Sequence, residues 1–416
     1  MDEHLRDLVV EFNRWFGDRT APDTVTSRLL ELPPRRWRQF FETFESEERV
    51  RIARVLTERA YSIQERSPKE AIPVAYLAVM FAKAIEGETD RERAKALELE
   101  ADAWREHARS LLLVGDLDAA RRSADEAAFN YSISINEGEL VDAPLVGDVL
   151  GHFLDTRSPI PDDKREVLEK ATRLALVLGQ ILHGQGRTDH GLAMMARACE
   201  ILLYCFDDRE LYVKGRITYA KVLAEAKRFT EALDVFQQTA ALANELQDPA
   251  VQAHLVNNIG VCYYYLGNFQ KAKTCAETAM AIFESLEMPI DAIRPRTLLV
   301  LLLMEQAKGN KTLYSAAAEL FKTRAAWLSA GMKRDAAQVM VDIILAFILA
   351  GRQGHINWAE MNRTFTEAGL GDAALRALQH LEATHAMRPL TADDVEDAHR
   401  TIFNLDPTGA EMAGVG

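Results

Sequence analysis

Residues 253–286 constrain the fold of this chain more than any other stretch of its sequence. The segment reads AHLVNNIGVCYYYLGNFQKAKTCAETAMAIFESL, two helix-length runs that are separated by Leu266, Gly267 and Asn268. Glycine often ends a helix because it adopts the left-handed conformation without strain, and asparagine is a good cap for the next helix. The segment therefore predicts a helix–turn–helix unit.

Small and large residues stand in this segment where two antiparallel helices require them. Gly260, Ala272 and Ala279 are small enough to let the two backbones approach closely. Large apolar residues fill the space around them: Ile259, Tyr263 and Phe269. In this pattern the segment resembles a tetratricopeptide repeat, a helix–turn–helix unit of about 34 residues with fixed small and large positions.

Less regular copies of the same unit precede the segment. They lie at residues 52–85, 101–134, 172–205 and 213–246, of which the first is degenerate. The key small residue recurs at Gly191, Ala232 and Ala272, a spacing of about 40 residues. Helices about one turn longer than those of the minimal repeat explain this spacing.

The repeats predict an all-α fold, a right-handed superhelical solenoid of antiparallel helix pairs with helical caps. We expect an N-terminal cap over 1–51, the array over 52–351 with an insertion at 136–163, a C-terminal cap over 352–404 and a flexible tail over 405–416. Helices of the caps are predicted at 2–16, 22–32, 35–44, 47–66, 356–368, 372–385 and 391–404. An apolar stripe at helical spacing is expected in the N-terminal cap, at Trp37, Phe40, Phe41 and Phe44.

Residues 52–350 thus resemble tetratricopeptide-repeat proteins. The runs RLLELPPRRW and FKTRAAWLSAGMKRDAAQVMVDIILAFILAGR are similar to those of a group of bacterial regulatory repeat proteins. Members of that group often carry an N-terminal DNA-binding or zinc-binding segment. This chain departs from them because no cysteine precedes Cys199. The resemblance implies a regulatory protein that binds another protein or a peptide.

Charge and cysteine usage narrow the functional classes. The net charge of −14 opposes general binding to nucleic acids and to anionic membranes. Arg35, Arg36 and Arg38 flank Trp37, but the aromatic stripe assigns that tryptophan to a core. Four cysteines without a CxxC pair indicate a reducing compartment, and no apolar run is long enough to span a bilayer. We expect a cytoplasmic protein, with its oligomeric state open.

Motifs for catalysis and for metal binding are missing from the sequence. It contains no Walker-type loop, no GxSxG and no HExxH. His183 and His190 lie on either side of a predicted helix break, so their spacing does not match a metal motif. The acidic residues are expected on solvent-exposed faces. The prediction is a protein that is not an enzyme and has neither cofactor nor metal.

The concave face of the predicted array is the candidate binding site, because the first helix of each pair lines it. Asparagine side chains there can bond both the N–H and the C=O of an extended peptide, and cations favour an acidic partner. Such a partner would be a transcription factor, a sigma factor or a signalling peptide. The candidates are Arg173, Gln180, His183, Lys214, Thr218, Lys221, Asn257, Asn258, Tyr264 and Arg296. Two alternatives remain: a scaffold that uses its convex face, its inserted loop or its caps, and a helical enzyme.

Overall fold

A computed structural model of the chain describes residues 3–18, 28–29, 31–64, 68–135, 160–206, 208–306, 310–329, 333–367 and 372–402. Throughout these ranges the regular secondary structure is helical, which confirms the predicted all-α class. Within each unit most consecutive helices of the described residues pack against each other, as helix repeats require. The chain divides into two compact units. Unit 1 comprises Met1–Leu178 with Tyr204–Phe206, and unit 2 comprises Gly179–Leu203 with Asp207–Gly416.

Unit 1 contains seven helices among the described residues. They are α1 Glu3–Asp18, α2 Pro34–Phe41, α3 Ser46–Ile63, α4 Pro68–Lys83, α5 Asp90–Val114, α6 Leu117–Ile135 and α7 Asp162–Gly184, whose last residues belong to unit 2. Thr89 caps α5 in a capping box, and Gly115 ends it in the left-handed conformation at φ 87°.

An aromatic core holds the N-terminal helices of unit 1 together. The Phe12 ring lies 5.6 Å from Phe40 and 5.4 Å from Phe81 of α4. Phe44 is also buried, which confirms the predicted stripe. Helix α2 ends at Phe41, earlier than predicted, since the chain turns there and continues into α3. Most of the helix predicted at 22–32 lies outside the described residues.

Unit 2 contains the later helices of the described residues. They are α8 Thr188–Ile201, α9 Arg209–Glu225, α10 Phe229–Glu245, α11 Pro249–Tyr265, α12 Phe269–Ser285, α13 Ile293–Glu305, α14 Asn310–Ser329, α15 Lys333–Leu349, α16 Trp358–Glu367, α17 Asp372–Met387 and α18 Ala392–Ile402. A π-helical segment, Leu202–Phe206, directly follows α8, and a short 3₁₀ turn, Gln353–His355, follows α15.

The four helices α9 to α12 repeat with a regular length. Each contains 17 residues. Three residues connect one helix to the next, so a helix pair takes up the spacing of about 40 residues seen in the sequence. The Asp248 side chain caps α11 by accepting from the backbone N–H groups of Ala250 and Val251. At the predicted turn, Gly267 adopts φ 74° and Asn268 caps α12.

Close helix crossings occur where the sequence has glycine. A Cβ atom on Gly260 would lie 2.9 Å from Cβ of Cys275 in α12, which confirms the predicted close approach. Helices α7 and α8 cross still more tightly, because a Cβ on Gly191 would lie 2.4 Å from the carbonyl oxygen of Gly179. Burial raises the pKa of the Cys262 thiol to about 12, as expected of a packing residue in such a crossing.

The predicted boundaries at 51/52 and 351/352 stay predictions. The predicted insertion, apart from its last residues, and the predicted tail lie outside the described residues. None of the helices among the described residues is both long and apolar enough to cross a bilayer.

Candidate functional site

The first helices of consecutive pairs in unit 2 lie beside one another and form one face. Helix α9 packs on α11, and α11 packs on α13. Helices α13 and α15 share a buried core that includes Val300 and Ile343. We call the side formed by α9, α11, α13 and α15 the first-helix face, and the side formed by α10, α12 and α14 the second-helix face.

The candidate residues Lys214 and Thr218 on α9 make polar contacts within their own helix. The ammonium of Lys214 pairs with the Glu210 carboxylate at 2.5 Å. The Thr218 hydroxyl donates to the Lys214 backbone carbonyl at 2.9 Å. Lys221 is half-buried. An acidic partner would therefore compete with Glu210 for Lys214.

The candidate residues on α11 include one that is more deeply buried than those on α9. Asn257 is only 5% exposed, and its side-chain oxygen Oδ1 accepts no hydrogen bond from any described residue. Asn258 is half-buried. Tyr264 and Val261 pack against a core that Leu298 and Leu302 of α13 form with Ala272 and Ala276 of α12. Residues 257, 261 and 264 follow the spacing i, i+4, i+7 and therefore occupy one stripe of α11.

Three further candidates belong to α7. Arg173, in unit 1, pairs with Glu169 at 2.5 Å. Gln180 is half-buried. His183 is 7% exposed; its ring lies 3.0 Å from the Thr188 hydroxyl and 3.3 Å from the Glu225 carboxylate. These contacts suit a packing role for His183.

The last candidate, Arg296, is exposed on α13 and lies 3.8 Å from the Glu284 carboxylate. Lys214 and Arg296 thus each have a carboxylate neighbour within unit 2. The structure groups Asn257 and Tyr264 on one stripe, whereas Arg173 belongs to the other unit. Whether these residues bind a partner stays a prediction.

Sequence reasoning missed an acidic and aromatic cluster at one end of the first-helix face. The Tyr264 hydroxyl donates to Glu305 at 3.0 Å, and Asp342 of α15 lies within electrostatic range of the hydroxyls of Tyr264 and Tyr265. Burial raises the pKa of Asp342 to about 7, and burial together with Glu305 raises the pKa of Tyr264. A signal was present, because Asp342 is the lone charge in the apolar run VMVDIILAFILA.

A second group that was missed is a buried ionic network in unit 1. Arg105 contacts Asp102 at 3.0 Å and Glu106 at 2.8 Å, and Lys170 contacts Asp102 at 3.1 Å. The Tyr131 hydroxyl donates to Asp102 at 2.6 Å. Burial raises the pKa of Tyr131 well above its ordinary value, which keeps this donor protonated. The expectation that acidic residues lie on solvent-exposed faces is wrong here, because Asp102 is 8% and Glu106 3% exposed.

Every charge of the network has a partner. Arg105 pairs with Asp102 and Glu106, and the Gln64 amide donates to Glu106 at 3.0 Å. Lys170 pairs with Asp102, with Glu98 at 2.5 Å and with Glu166 at 2.9 Å. Such an arrangement supports a structural role more than a binding role, since each charge already has a partner.

A metal site and a surface cleft have weaker support as functional sites. Over the described ranges, no three His, Cys, Asp or Glu side chains converge as metal ligands would. A shallow cleft of about 580 Å³ is lined by residues that include Gln353, His385 and Arg388. Their polar groups are engaged internally: Gln353 bonds the backbone of Leu390, His385 accepts from the Trp358 indole, and Arg388 pairs with Asp394.

Comparison with known proteins agrees with the helix pairs of unit 2. Residues 214–285, which cover nearly all of α9 to α12, match the family model described as tetratricopeptide repeat. The chain therefore contains tetratricopeptide repeats. No curated protein matches the sequence.

Several solved structures are similar to this chain. One is the Rap protein complexed with competence and sporulation factor, with 16% identity, a TM-score of 0.46, and coverage of 88% of this chain and 99% of that one. The apo form of RapI has 15% identity and a TM-score of 0.47, with coverage of 72% and 97%. Aspartyl phosphate phosphatase F from Bacillus subtilis has 14% identity and a TM-score of 0.40, with coverage of 85% and 95%.

Proposed function

We propose that this protein is a non-catalytic binding module that captures an extended peptide, or an extended segment of a protein, on the first-helix face of unit 2. Asn257 carries the proposal. Its carbonyl oxygen is buried within the face and accepts no hydrogen bond from the described residues. A buried amide oxygen without a donor is costly, and a backbone N–H of a bound peptide would supply the donor once the side chain turns outward to the face.

The repeat architecture supports the same proposal. Tetratricopeptide units present the first helices of successive pairs to a partner. Unit 2 contains such pairs over the residues that match the family model. A regulatory role in the cytoplasm is part of the proposal, and it rests on the sequence resemblance to bacterial regulatory repeat proteins.

The finer expectation of an acidic partner has weaker support. Lys214 and Arg296 would have to exchange Glu210 and Glu284 for carboxylates of the partner. Exposed ion pairs of this kind contribute about 0.2–1 kcal/mol each to stability. Exchanging them for carboxylates of a partner therefore changes the free energy of binding little.

The test uses random dodecapeptides displayed on phage, which are selected for binding to the full chain. Dissociation constants of the selected peptides are then measured for the wild type, for Asn257→Ala and for Gln270→Ala, a control on the second-helix face. We expect Asn257→Ala to weaken binding by about tenfold, the value of one lost hydrogen bond in a buried site, and Gln270→Ala to change it by less than about twofold.

The charged candidates are tested together in the triple variant Lys214→Glu, Lys221→Glu and Arg296→Glu. If binding survives both this triple reversal and Asn257→Ala, capture on the first-helix face is excluded. A partner that still binds would then point to the scaffold alternative. Selection that yields no binding peptide would also contradict the proposal.

A further inference from the structure

We propose that the first-helix face of unit 2 receives a cationic side chain, a lysine or an arginine of the bound peptide, between Tyr264, Tyr265, Glu305 and Asp342. This inference rests on the proposed function and specifies the chemistry of its ligand. It differs from the sequence-based expectation, which emphasised acidic groups of the partner.

Asp342 provides the first reason. Its neighbours along α15, Val341 and Ile343, are each no more than 1% exposed, so the carboxyl group emerges from an apolar helix. Within the described part of the chain, it makes neither a hydrogen bond nor an ion pair. The side chain is half-buried, and a carboxylate that is partly removed from water without a partner is destabilising. A group of this kind is suited to a cation that arrives from outside.

Glu305 provides a second carboxylate beside the same tyrosine. One of its oxygens, Oε1, accepts from the Tyr264 hydroxyl at 3.0 Å. Neither Glu305 nor Asp342 pairs with a lysine or an arginine among the described residues. Glu305 thus contacts Tyr264 and Asp342 lies within electrostatic range of it, so the negative potentials of the two carboxylates add at this end of the face.

The aromatic rings add a surface that also favours cations. The rings of Tyr264 and Tyr265 are 5.2 Å apart and nearly perpendicular, at 77°. Tyr265 stacks on Phe229 at 4.4 Å and 9°, which fixes its orientation, and it remains 49% exposed. A lysine ammonium or an arginine guanidinium over such a ring is attracted by the negative face of the ring.

The unpaired oxygen of Asn257 is an independent observation that supports a peptide on this face. Asn257 stands seven residues before Tyr264 on the same stripe of α11, and its buried oxygen lacks a donor. Seven residues of helix correspond to about 10 Å along the axis. Three residues of extended peptide span the same distance. A peptide whose backbone is held at Asn257 therefore places a side chain about three residues further on at the two carboxylates.

Other cationic occupants fit less well. A metal ion prefers several oxygen ligands that converge, and no group of three acidic, His or Cys side chains does so in the described residues. A side chain held by its peptide also uses Asn257, which a free ion or small amine would leave without a donor. The occupant that matches all these groups is a basic residue of the peptide.

The experiment uses the peptides selected on the full chain and compares the dissociation constants of three variants. Asp342→Asn and Glu305→Gln each remove one charge and keep the shape of the side chain. Glu277→Gln, on the second-helix face, is the matched control. We expect a lysine or an arginine at a fixed position in the selected peptides, and about tenfold weaker binding for Asp342→Asn, as befits a charge-assisted contact.

Replacing that basic residue by norleucine separates the charge from the packing of its alkyl chain. On the wild type the replacement should weaken binding by about tenfold, and on the double variant Asp342→Asn with Glu305→Gln by less than about twofold. Asp342→Asn should leave the thermal stability of the free protein unchanged or higher, so that a loss of binding cannot be ascribed to unfolding.

The outcomes distinguish this inference from the proposed function. Peptides that depend on Asn257 but carry no basic residue, or bind Asp342→Asn as tightly as the wild type, would overturn the cationic site and leave capture on the first-helix face intact. Peptides that depend on neither Asn257 nor Asp342 would overturn both.

Discussion

The hydroxyl of Tyr264 donates a 3.0 Å hydrogen bond to the carboxylate of Glu305 and so joins the C-terminal ends of α11 and α13, two consecutive first helices of unit 2. The same tyrosine packs against Leu298 and Leu302. It therefore combines an apolar contact between repeats with a polar contact on the face that we propose for binding.

Tyr264→Phe separates these two contacts. The ring and its packing remain, while the hydrogen bond to Glu305 is lost, so we expect the free energy of unfolding to fall by about 0.5–1.5 kcal/mol. Denaturant unfolding measures this change. Tyr314→Phe, which alters another partly exposed tyrosine of unit 2, is the control and should be neutral. Equal losses in both variants would show that the contact with Glu305 contributes nothing to stability.

Removal of Arg105 tests the ionic network of unit 1. Arg105→Met preserves much of the side-chain volume but leaves Asp102 and Glu106 buried with one cation fewer. We expect a loss of about 3–5 kcal/mol in the free energy of unfolding, typical of breaking a buried ion pair. Arg121→Met is the control, because its pair with Asp125 is largely exposed. A loss below about 1 kcal/mol for Arg105→Met would mean that the carboxylates reach water or become protonated without penalty.

Gly191→Ala tests the crossing of α7 and α8. Alanine is the better helix former by about 1 kcal/mol, so the variant would be stabilising if the helix were isolated. In the folded chain the new Cβ would lie 2.4 Å from the Gly179 carbonyl oxygen, which forces the two helices apart. We therefore predict a lower thermal midpoint, with a destabilisation of at least about 2 kcal/mol. Gly354→Ala, where nothing lies within 4 Å of the new Cβ, should be close to neutral.

The raised pKa of Asp342 predicts that the stability of the protein depends on pH. Its pKa is about 7 in the folded state because of burial, and its ordinary value is 3.8. The folded state thus holds a proton that the unfolded state has released between these values. The free energy of unfolding should therefore decrease as the pH rises from 4 to 7, and the contribution of Asp342 should level off above 7.

The matching variant is Asp342→Asn, which cannot lose a proton. It should remove this part of the pH dependence and stabilise the protein at pH 8 by an amount bounded at about 4 kcal/mol, since one pKa unit corresponds to 1.36 kcal/mol. Unfolding curves of the wild type and the variant at pH 5 and pH 8 measure the difference. Parallel profiles for the two proteins would contradict a raised pKa at Asp342.

Local patterns predicted the repeat units because their signals lie within one helix pair. Gly267 and Asn268 are residues that typically end one helix and cap the next, so they indicate the turn directly. Gly260 indicates a helix crossing that only a small residue permits. The π-helical segment Leu202–Phe206 carries no such signal, since its residues LLYCF suit an α-helix equally well.

The sites were harder to predict, because their chemistry depends on partners far away in the sequence. The pairing of Asp102 with Arg105 follows from helical spacing, but the burial of both requires Tyr131 and Lys170 from other helices. Asn257 was recognised as a candidate from its position on a first helix and from its residue type. Its orphaned oxygen, and the grouping of Asp342 with Tyr264, are visible only in the folded chain.

Capture on the first-helix face is tested most directly by photo-cross-linking from defined positions. A photoreactive phenylalanine analogue is placed at Asn258, which lies on α11 of the first-helix face, and in a second protein at Glu277, which lies on α12 of the second-helix face. Each protein is irradiated with a peptide selected on the wild type. We expect a cross-link from position 258 and none from position 277. A peptide that cross-links from 277 and not from 258 would contradict it.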